Sequence, residues 1–306
     1  MGIRGDISAA IDRIVEYYVR NYKKMVFLPI AFIVFFSAFI GYYYYTHGQF
    51  FKEDISLAGG TSLSVNTHIS VNPEQVSSLV SSSISAPVTV TVVRTPFSNT
   101  ISGYSITTLS TVNETDLQDA VSSALGIPIN SSDSSVTFIS ASLAQNQLYS
   151  SFILLGVAFV LVALVSLFYF RNAWQAFSNV VSIISDIINI IGVLDIIGFS
   201  FSTASIAGIL MIMGYSADRN IILATNILKR KEATMKYRLV HTIKTSLTMD
   251  AAALATFLVL FFGTSNSTIH SIAIILIVGV IFDDFTVWIL NGSTQLFGLK
   301  YKEANS

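Results

Sequence analysis

Six long apolar runs dominate the chain, near residues 25–45, 149–170, 173–198, 203–227, 244–263 and 268–292. Each is about 20 residues long, enough for an α-helix to cross a hydrocarbon core. Two joins between runs are short, so the pattern predicts helical hairpins in a bundle rather than a barrel. The fifth run is the least uniform, with Lys244 and Asp250 near its start. A polar stretch, 46–148, separates the first two runs and has its own periodicities. Residues 61–67 alternate like a strand. Asn72 and Pro73 open a helix over 73–84, as cap and first helical residue. Residues 87–95, 101–111 and 135–140 predict three more strands. Asn113 is expected to cap a helix over 114–125 that Gly126 ends. The predicted order is βαββαβ, the split unit of an α+β ferredoxin-like domain.

Ahead of the first run, Ile7, Ala10, Ile11, Ile14, Val15 and Tyr18 recur at helical spacing, with Arg13, Glu16 and Arg20 between them. They predict an amphipathic helix over 1–24, either on the membrane surface or packed on the protein itself. Tyr42 to Tyr45 close the first run like an interfacial belt, and no small-residue cleavage pattern follows. The run therefore predicts an anchor rather than a cleaved signal. Placing the N-terminus inside puts 14 of the 17 Lys and Arg residues in inside segments: Arg4, Arg13, Arg20, Lys23, Lys24, Arg171, Lys229, Arg230, Lys231, Lys236, Arg238, Lys244, Lys300 and Lys302. Outside there are Lys52 and Arg94, and Arg219 falls within a span. That bias predicts cytoplasmic termini. The expected division is a cytoplasmic helix (1–24), a first span (25–45), an extracytoplasmic domain (46–148), five spans (149–292) and a cytoplasmic tail (293–306), in a plasma-membrane protein.

Composition agrees. The chain is 52% hydrophobic and 11% charged, with mean hydropathy +0.65, against about 25% charged residues in an ordinary soluble domain. The 46–148 segment holds seven acids against two bases, and with no basic patch a nucleic-acid partner is excluded. With no Cys in the chain, that segment does not rely on disulfides. Asn113, Asn130 and Asn266 begin glycosylation sequons on the outer side, although such triplets arise often by chance and Asn113 doubles as a cap.

Candidate chemistry lies in charges inside the spans: Asp186 in the third, Asp218 and Arg219 in the fourth, Asp250 in the fifth, Asp283 and Asp284 in the sixth. Asp195, near an outer end, counts for less. An acid at a span centre costs about 2.5–3.5 kcal/mol to insert, so these side chains should face inward and find partners. Five acids and one Arg cannot all pair as ions, so some Asp side chains are expected to carry protons. A proton relay and plain polar packing both fit that expectation. Helical spacing puts Ser182, Asp186 and Asn189 on one face, and Asp284, Trp288 and Asn291 on another. It lets Asp218 and Arg219 flank one inner face of the fourth span. Gly208, Gly214 and Ala217 would admit a neighbouring helix. No nucleophile triad, phosphate loop or metal motif appears, so neither an enzyme nor a cofactor is expected. Gly214 to Asp218 lacks the second glycine of the intramembrane aspartyl-protease motif.

Four stretches carry a family resemblance. Leu57-Ala58-Gly59-Gly60-Thr61 is similar to Asp-Phe-Thr-Gly-Gly-Thr, with Ser56 where the family has Asp. Ile184-Ser185-Asp186-Ile187 is similar to Leu-His-Asp-Val. Gly214-Tyr215-Ser216-Ala217-Asp218 resembles the archaeal Gly-Tyr-Ser-Val-Asp. His241-Thr242-Ile243-Lys244-Thr245-Ser246-Leu247-Thr248 is similar to Arg-Thr-Ile-Ile-Thr-Ser-Leu-Thr, with His241 in place of Arg. The family's second acid in the fourth span falls on Arg219 or Asn220. Together with the order of one span, a domain and five spans, these resemble the SecD/SecF family, half of an RND-type transporter, in a length like the SecF branch. The resemblance implies a SecD partner, the Sec translocon, an unfolded polypeptide in transit and membrane lipids around the spans. It also implies export assisted by the proton gradient, with Gly59 and Gly60 as a hinge. A homodimeric RND-like exporter of lipids or small apolar molecules is the alternative, and would need an apolar pocket in the domain or at its junction with the spans. A scaffold without proton flow is a third.

Overall fold

A computed structural model describes residues 13, 16–18, 20–98, 100–129, 134–229 and 235–297. Six helices in it are long and apolar enough to cross a membrane: Arg20–His47, Ala141–Phe170, Ala173–Ile196, Thr203–Ile227, Tyr237–Phe262 and Ser267–Phe297. Their regular parts are α1 (Phe27–His47), α5 (Ala141–Phe170), α6 (Ala173–Ile196), α7 (Thr203–Ala224), α8 (Met235–Phe262) and α9 (Ser267–Phe285). Two π-helical turns follow α7 and α9, at Thr225–Lys229 and Thr286–Asn291. Of the apolar residues expected on the N-terminal amphipathic helix only Tyr18 is described. It is buried, and its hydroxyl accepts from Ser293 Oγ at 3.3 Å.

The helices divide by surface. Those at the centre, α6, α7 and α9, bury Ile183, Ile190 and Leu194, Ile209 and Ile212, and Ile275 and Val280 against one another. Close crossings use glycine: a Cβ on Gly279 would meet Ile212 Cγ1 at 2.5 Å, and one on Gly208 would meet Ile275 Cγ2 at 3.2 Å. At the periphery, α1 and α5 turn Val34, Phe35, Val160 and Leu161 outward. In water such a surface would be a liability; in a bilayer it is the solvated face.

Between α1 and α5 the chain forms a second unit. Its elements are a single turn α2 (Ile55–Ala58), β1 (Gly60–Asn66), α3 (Pro73–Ile84), β2 (Thr89–Arg94), β3 (Ile101–Thr108), α4 (Glu114–Leu125) and β4 (Ser134–Ile139). The sheet order is β2-β3-β1-β4 with every pairing antiparallel, and Leu63 faces Ile106 on one side and Val136 on the other. Leu63, Val65, Tyr104 and Ile106 pack with Val76 and Val80 of α3 and Leu117 and Val121 of α4. Asn72 Oδ1 caps α3 through Glu74 N at 2.9 Å. Asn113 does not cap α4 with its side chain; its amide reaches sideways to Asp116 Oδ2 at 3.3 Å. Asn266 caps α9 through Thr268 N and Ile269 N. Asn130 lies outside the described residues.

The two units meet on a hydrogen-bonded joint. Asp54 N donates to Phe201 O at 2.8 Å, Phe201 N to Lys52 O at 2.7 Å, and Thr203 N to Ser56 Oγ at 3.1 Å. Phe51 packs on Phe201 with ring centroids 4.8 Å apart. Asp195, which sequence position had discounted, is buried here and accepts from Lys52 N at 3.3 Å. Burial at this joint pushes the Asp54 and Glu53 carboxyls above their usual range. A lighter second contact runs from Phe97 N to Phe262 O at 3.1 Å. Only Ser140 separates β4 from α5, and its hydroxyl caps the helix through Leu143 N at 3.3 Å, so α5 begins at Ala141 and not near 149.

Candidate functional site, a charge cluster inside the bundle

Arg219, on the inner face of α7, is the hub. Its Nη1 donates to Asp283 Oδ2 at 2.6 Å, and its Nη2 to Asp284 Oδ1 at 2.5 Å and Ser246 Oγ at 2.8 Å. Asp250 Oδ2 completes the set, 3.1 Å from Nη2. The planar fork of a guanidinium, with five donors, suits several carboxylates at once. Tyr215, one helical turn earlier, donates its hydroxyl to Asp250 Oδ1 at 2.6 Å, and its ring lies 5.7 Å from the guanidinium carbon. Asp186 approaches from α6. Its Oδ2 accepts from Ser216 Oγ at 2.6 Å and its Oδ1 from the Thr286 hydroxyl. Three carboxylates from α8 and α9 therefore converge on one cation from α7, and Asp186 of α6 joins beside them through Ser216 and Thr286.

A ladder of amides and hydroxyls continues from this cluster. Asn220 donates to Ser216 Oγ at 3.2 Å. Asn291 donates to Asn220 Oδ1 and, at 3.1 Å, to Asn179 Oδ1. Ser178 donates to Asn291 Oδ1 at 2.5 Å, and Gln175 to Asn179 Oδ1 at 3.2 Å. All five residues are buried. Asp283 and Thr286 share a face at three-residue spacing, and the π turn Thr286–Asn291 brings Asn291 to the same side. An i→i+5 turn is wider than an α turn, so each side chain along it is rotated less, and Asn291 arrives on the inner face. Among the described residues, two buried atoms of the cluster lack a hydrogen-bond partner, Arg219 Nε and Asp283 Oδ1.

Five of the six charged candidates thus come together, and one does not. Asp218 is exposed, one helical step from the buried Arg219, whose ion pairs go to Asp250, Asp283 and Asp284 instead. A step of about 100° per residue turns one of two neighbours out when the other is fully buried. The expected Asp284, Trp288 and Asn291 face is likewise changed: Asp283 is the fully buried acid of the pair and Asp284 is partly exposed. Ser182, Asp186 and Asn189 do share a buried face. His241 stays outside the cluster, stacked on Tyr237, and Thr245 is exposed beside it, donating to His241 O at 3.0 Å. Gly214 is open, with nothing within 4 Å of a Cβ there. At the other motif, Gly59, Gly60 and Thr61 are buried, and Thr61 Oγ1 donates to Val112 O at 3.3 Å. Gly60 holds φ at +140°, and a Cβ on it would strike Thr108 O and come within 2.8 Å of Leu109 Cα. Sequence reasoning missed Gln175, Ser178, Asn179 and Thr286; their polarity inside apolar runs was the available signal.

Fold and site together define a multi-pass helical membrane protein with a buried, acid-rich ion cluster at its centre and a small α/β unit jointed to one end of the bundle. A family model described as protein export membrane protein SecD/SecF, C-terminal, matches residues 121–298, more than half of the chain. The protein-export membrane protein SecF of Pyrococcus furiosus is 30% identical over 270 residues, covering 88% of each chain. SecF of Thermococcus gammatolerans is 28% identical over 246 residues, 79% of this chain and 76% of that protein. The chain belongs to the SecD/SecF family. Its fold resembles the crystal structure of SecDF, a translocon-associated membrane protein from Thermus thermophilus, with TM-score 0.69 at 16% identity over 93% of this chain. A second SecDF structure, in a super-membrane-facing form, gives TM-score 0.58 at 17% identity. The chain spans 38% and 39% of those two proteins.

Proposed function

We propose that this chain is a SecF-type subunit of protein export. It works with a SecD-type partner beside the Sec translocon in the cell membrane, on unfolded polypeptide in transit. Its termini are cytoplasmic and residues 46–148 extracytoplasmic, as the bias of basic residues supports. The α/β unit is ferredoxin-like; the order β2-β3-β1-β4 of an antiparallel sheet under two helices supports this. The SecDF chains to which this fold is similar are more than twice its length, which supports a partner for the remainder.

The observation that carries the coupling to a proton gradient is the Arg219 cluster. Four acids around one base would carry a surplus of negative charge in a membrane interior if all were ionised, and proton uptake removes it. Because Asp186 bridges α6 to α7 and α9, and Arg219 bridges α7 to α8 and α9, a change in proton occupancy redistributes bonds among the four helices. The α/β unit follows through the joint at Phe201, which lies between α6 and α7. The test is an export assay in cells whose only copy carries Asp186→Asn or Asp283→Asn. Release of a secreted reporter should slow to the rate seen with a protonophore. Unchanged release at normal protein levels would remove the cluster from the mechanism.

A further inference from the structure

A groove of about 450 Å³ lies between α5 and α7, directly beneath the joint. One wall is Leu143, Asn146, Gln147, Ser150 and Leu154, and the other is Thr203, Ile206, Ala207 and Leu210. Both sets recur at three- and four-residue spacing, so each is a single helix face. The groove is not sealed: Leu143 and Leu154 are each about half exposed, and Ala207 is exposed. It is continuous with the outer surface of α5, where Phe152, Ile153 and Val157 turn apolar side chains outward.

Its polarity has a direction. The amides of Asn146 and Gln147 and the hydroxyls of Ser150 and Thr203 lie toward the N-terminal ends of α5 and α7, at one edge of the bundle. Ile206, Leu210 and Leu154 lie deeper. From Leu143 to Leu154 the groove follows α5 for about 16 Å. Among the described residues, no charged side chain lines it. A volume in the range of about 300–1,000 Å³ takes a small amphiphile.

We propose that this groove binds one membrane lipid, its acyl chain laid between α5 and α7 and its glycerol-level oxygens held by the Asn146 and Gln147 amides. The occupant is a lipid because the groove opens sideways between two spans, onto the surface that lipid already solvates. Its polar end also lies where a lipid changes from chain to headgroup. An uncharged lining selects no headgroup charge. Thr203 lines the groove and its backbone N–H holds Ser56, so the bound lipid packs beside the joint on which the α/β unit rests. The inference depends on the membrane spans and not on the export role.

The test uses the full chain in phosphatidylcholine vesicles doped with a phosphatidylcholine whose acyl chain carries a diazirine. After irradiation, the labelled peptides are mapped. Label should concentrate on residues 143–154 and 203–210, above the level on the exposed faces of α1. Ala207→Trp fills the groove from an exposed position and should abolish that excess while leaving the melting temperature unchanged. Gln147→Leu together with Asn146→Leu should reduce the lipid that survives detergent washing in native mass spectrometry. Even labelling over all lipid-facing surfaces, or an excess that persists in Ala207→Trp, would overturn the proposal. So would loss of labelling on adding a SecD-type partner, which would show that protein covers the groove.

Discussion

Replacing Arg219 with Met keeps a long unbranched stem and removes the fork. Asp283 Oδ2, Asp284 Oδ1 and Asp250 Oδ2, at 2.6, 2.5 and 3.1 Å from the guanidinium, then lose their shared counter-charge. Asp250 and Asp283 are almost fully buried, so water cannot take over the role. Breaking a buried pair from one side costs about 3–5 kcal/mol, because the remaining charge is left uncompensated. That corresponds to a hundredfold or more in the unfolding equilibrium, at about 1.4 kcal/mol per factor of ten. The losses of three partners do not add, since each freed carboxylate can take a proton. The assay is reversible unfolding in mixed micelles at neutral pH. Asp218→Asn, one residue away but exposed, should stay within about 0.5 kcal/mol of the parent. Adding Asp250→Asn and Asp283→Asn to Arg219→Met should recover much of the loss, since neutral groups no longer need the cation. If Arg219→Met unfolds within about 1 kcal/mol of the parent, the cluster does not hold the helices together as described.

Gly60→Ala, at φ +140° and against the Thr108 carbonyl, should cost about 1–3 kcal/mol in the same assay; a neutral result would contradict the close packing described around Gly60. Asn291→Leu leaves Asn220 Oδ1 without its Asn291 donor, while Asn179 Oδ1 keeps Gln175, and should cost about 1–3 kcal/mol per buried group left unsatisfied. At the joint, burial raises the Asp54 carboxyl, so the folded form holds its proton to higher pH than the unfolded form. Docking is then strongest below the ordinary Asp value of about 3.9 and weakens as pH rises through the raised value. Amide exchange at Leu57 and Ala58, corrected for intrinsic rates, should quicken over that window in the parent and stay flat in Asp54→Asn.

How much of this was legible depended on whether a feature was local. Asn72-Pro73 and Gly126 mark helix ends within one turn, and α3 and α4 begin and end there. The apolar runs marked all six long helices because about 20 residues of hydrocarbon leave few alternatives. The start of α5 did not show, since residues 141–148 are not apolar enough to extend the run and Ser140 sets the boundary by a hydrogen bond. Arg219 and Asp218 were visible as charges, but a helix face alone could not say which turned inward. That was decided by Asp250, Asp283 and Asp284 arriving from two other helices. The Asn291 position depended on a π turn, which breaks the 3.6-residue period from which the face was predicted. His241 stands where the family motif has Arg, yet the cation in the bundle comes from α7.

The central claim is that this chain serves in export as the SecF half of a SecD–SecF assembly. Purification in gentle detergent from its native membrane, with mass spectrometry of what accompanies it, tests that most directly. Recovery of a SecD-type protein in a fixed ratio, with or without translocon subunits, is the predicted result. Recovery of the chain as a homodimer with bound lipid and no SecD-type protein would contradict the account and favour an exporter of small apolar molecules.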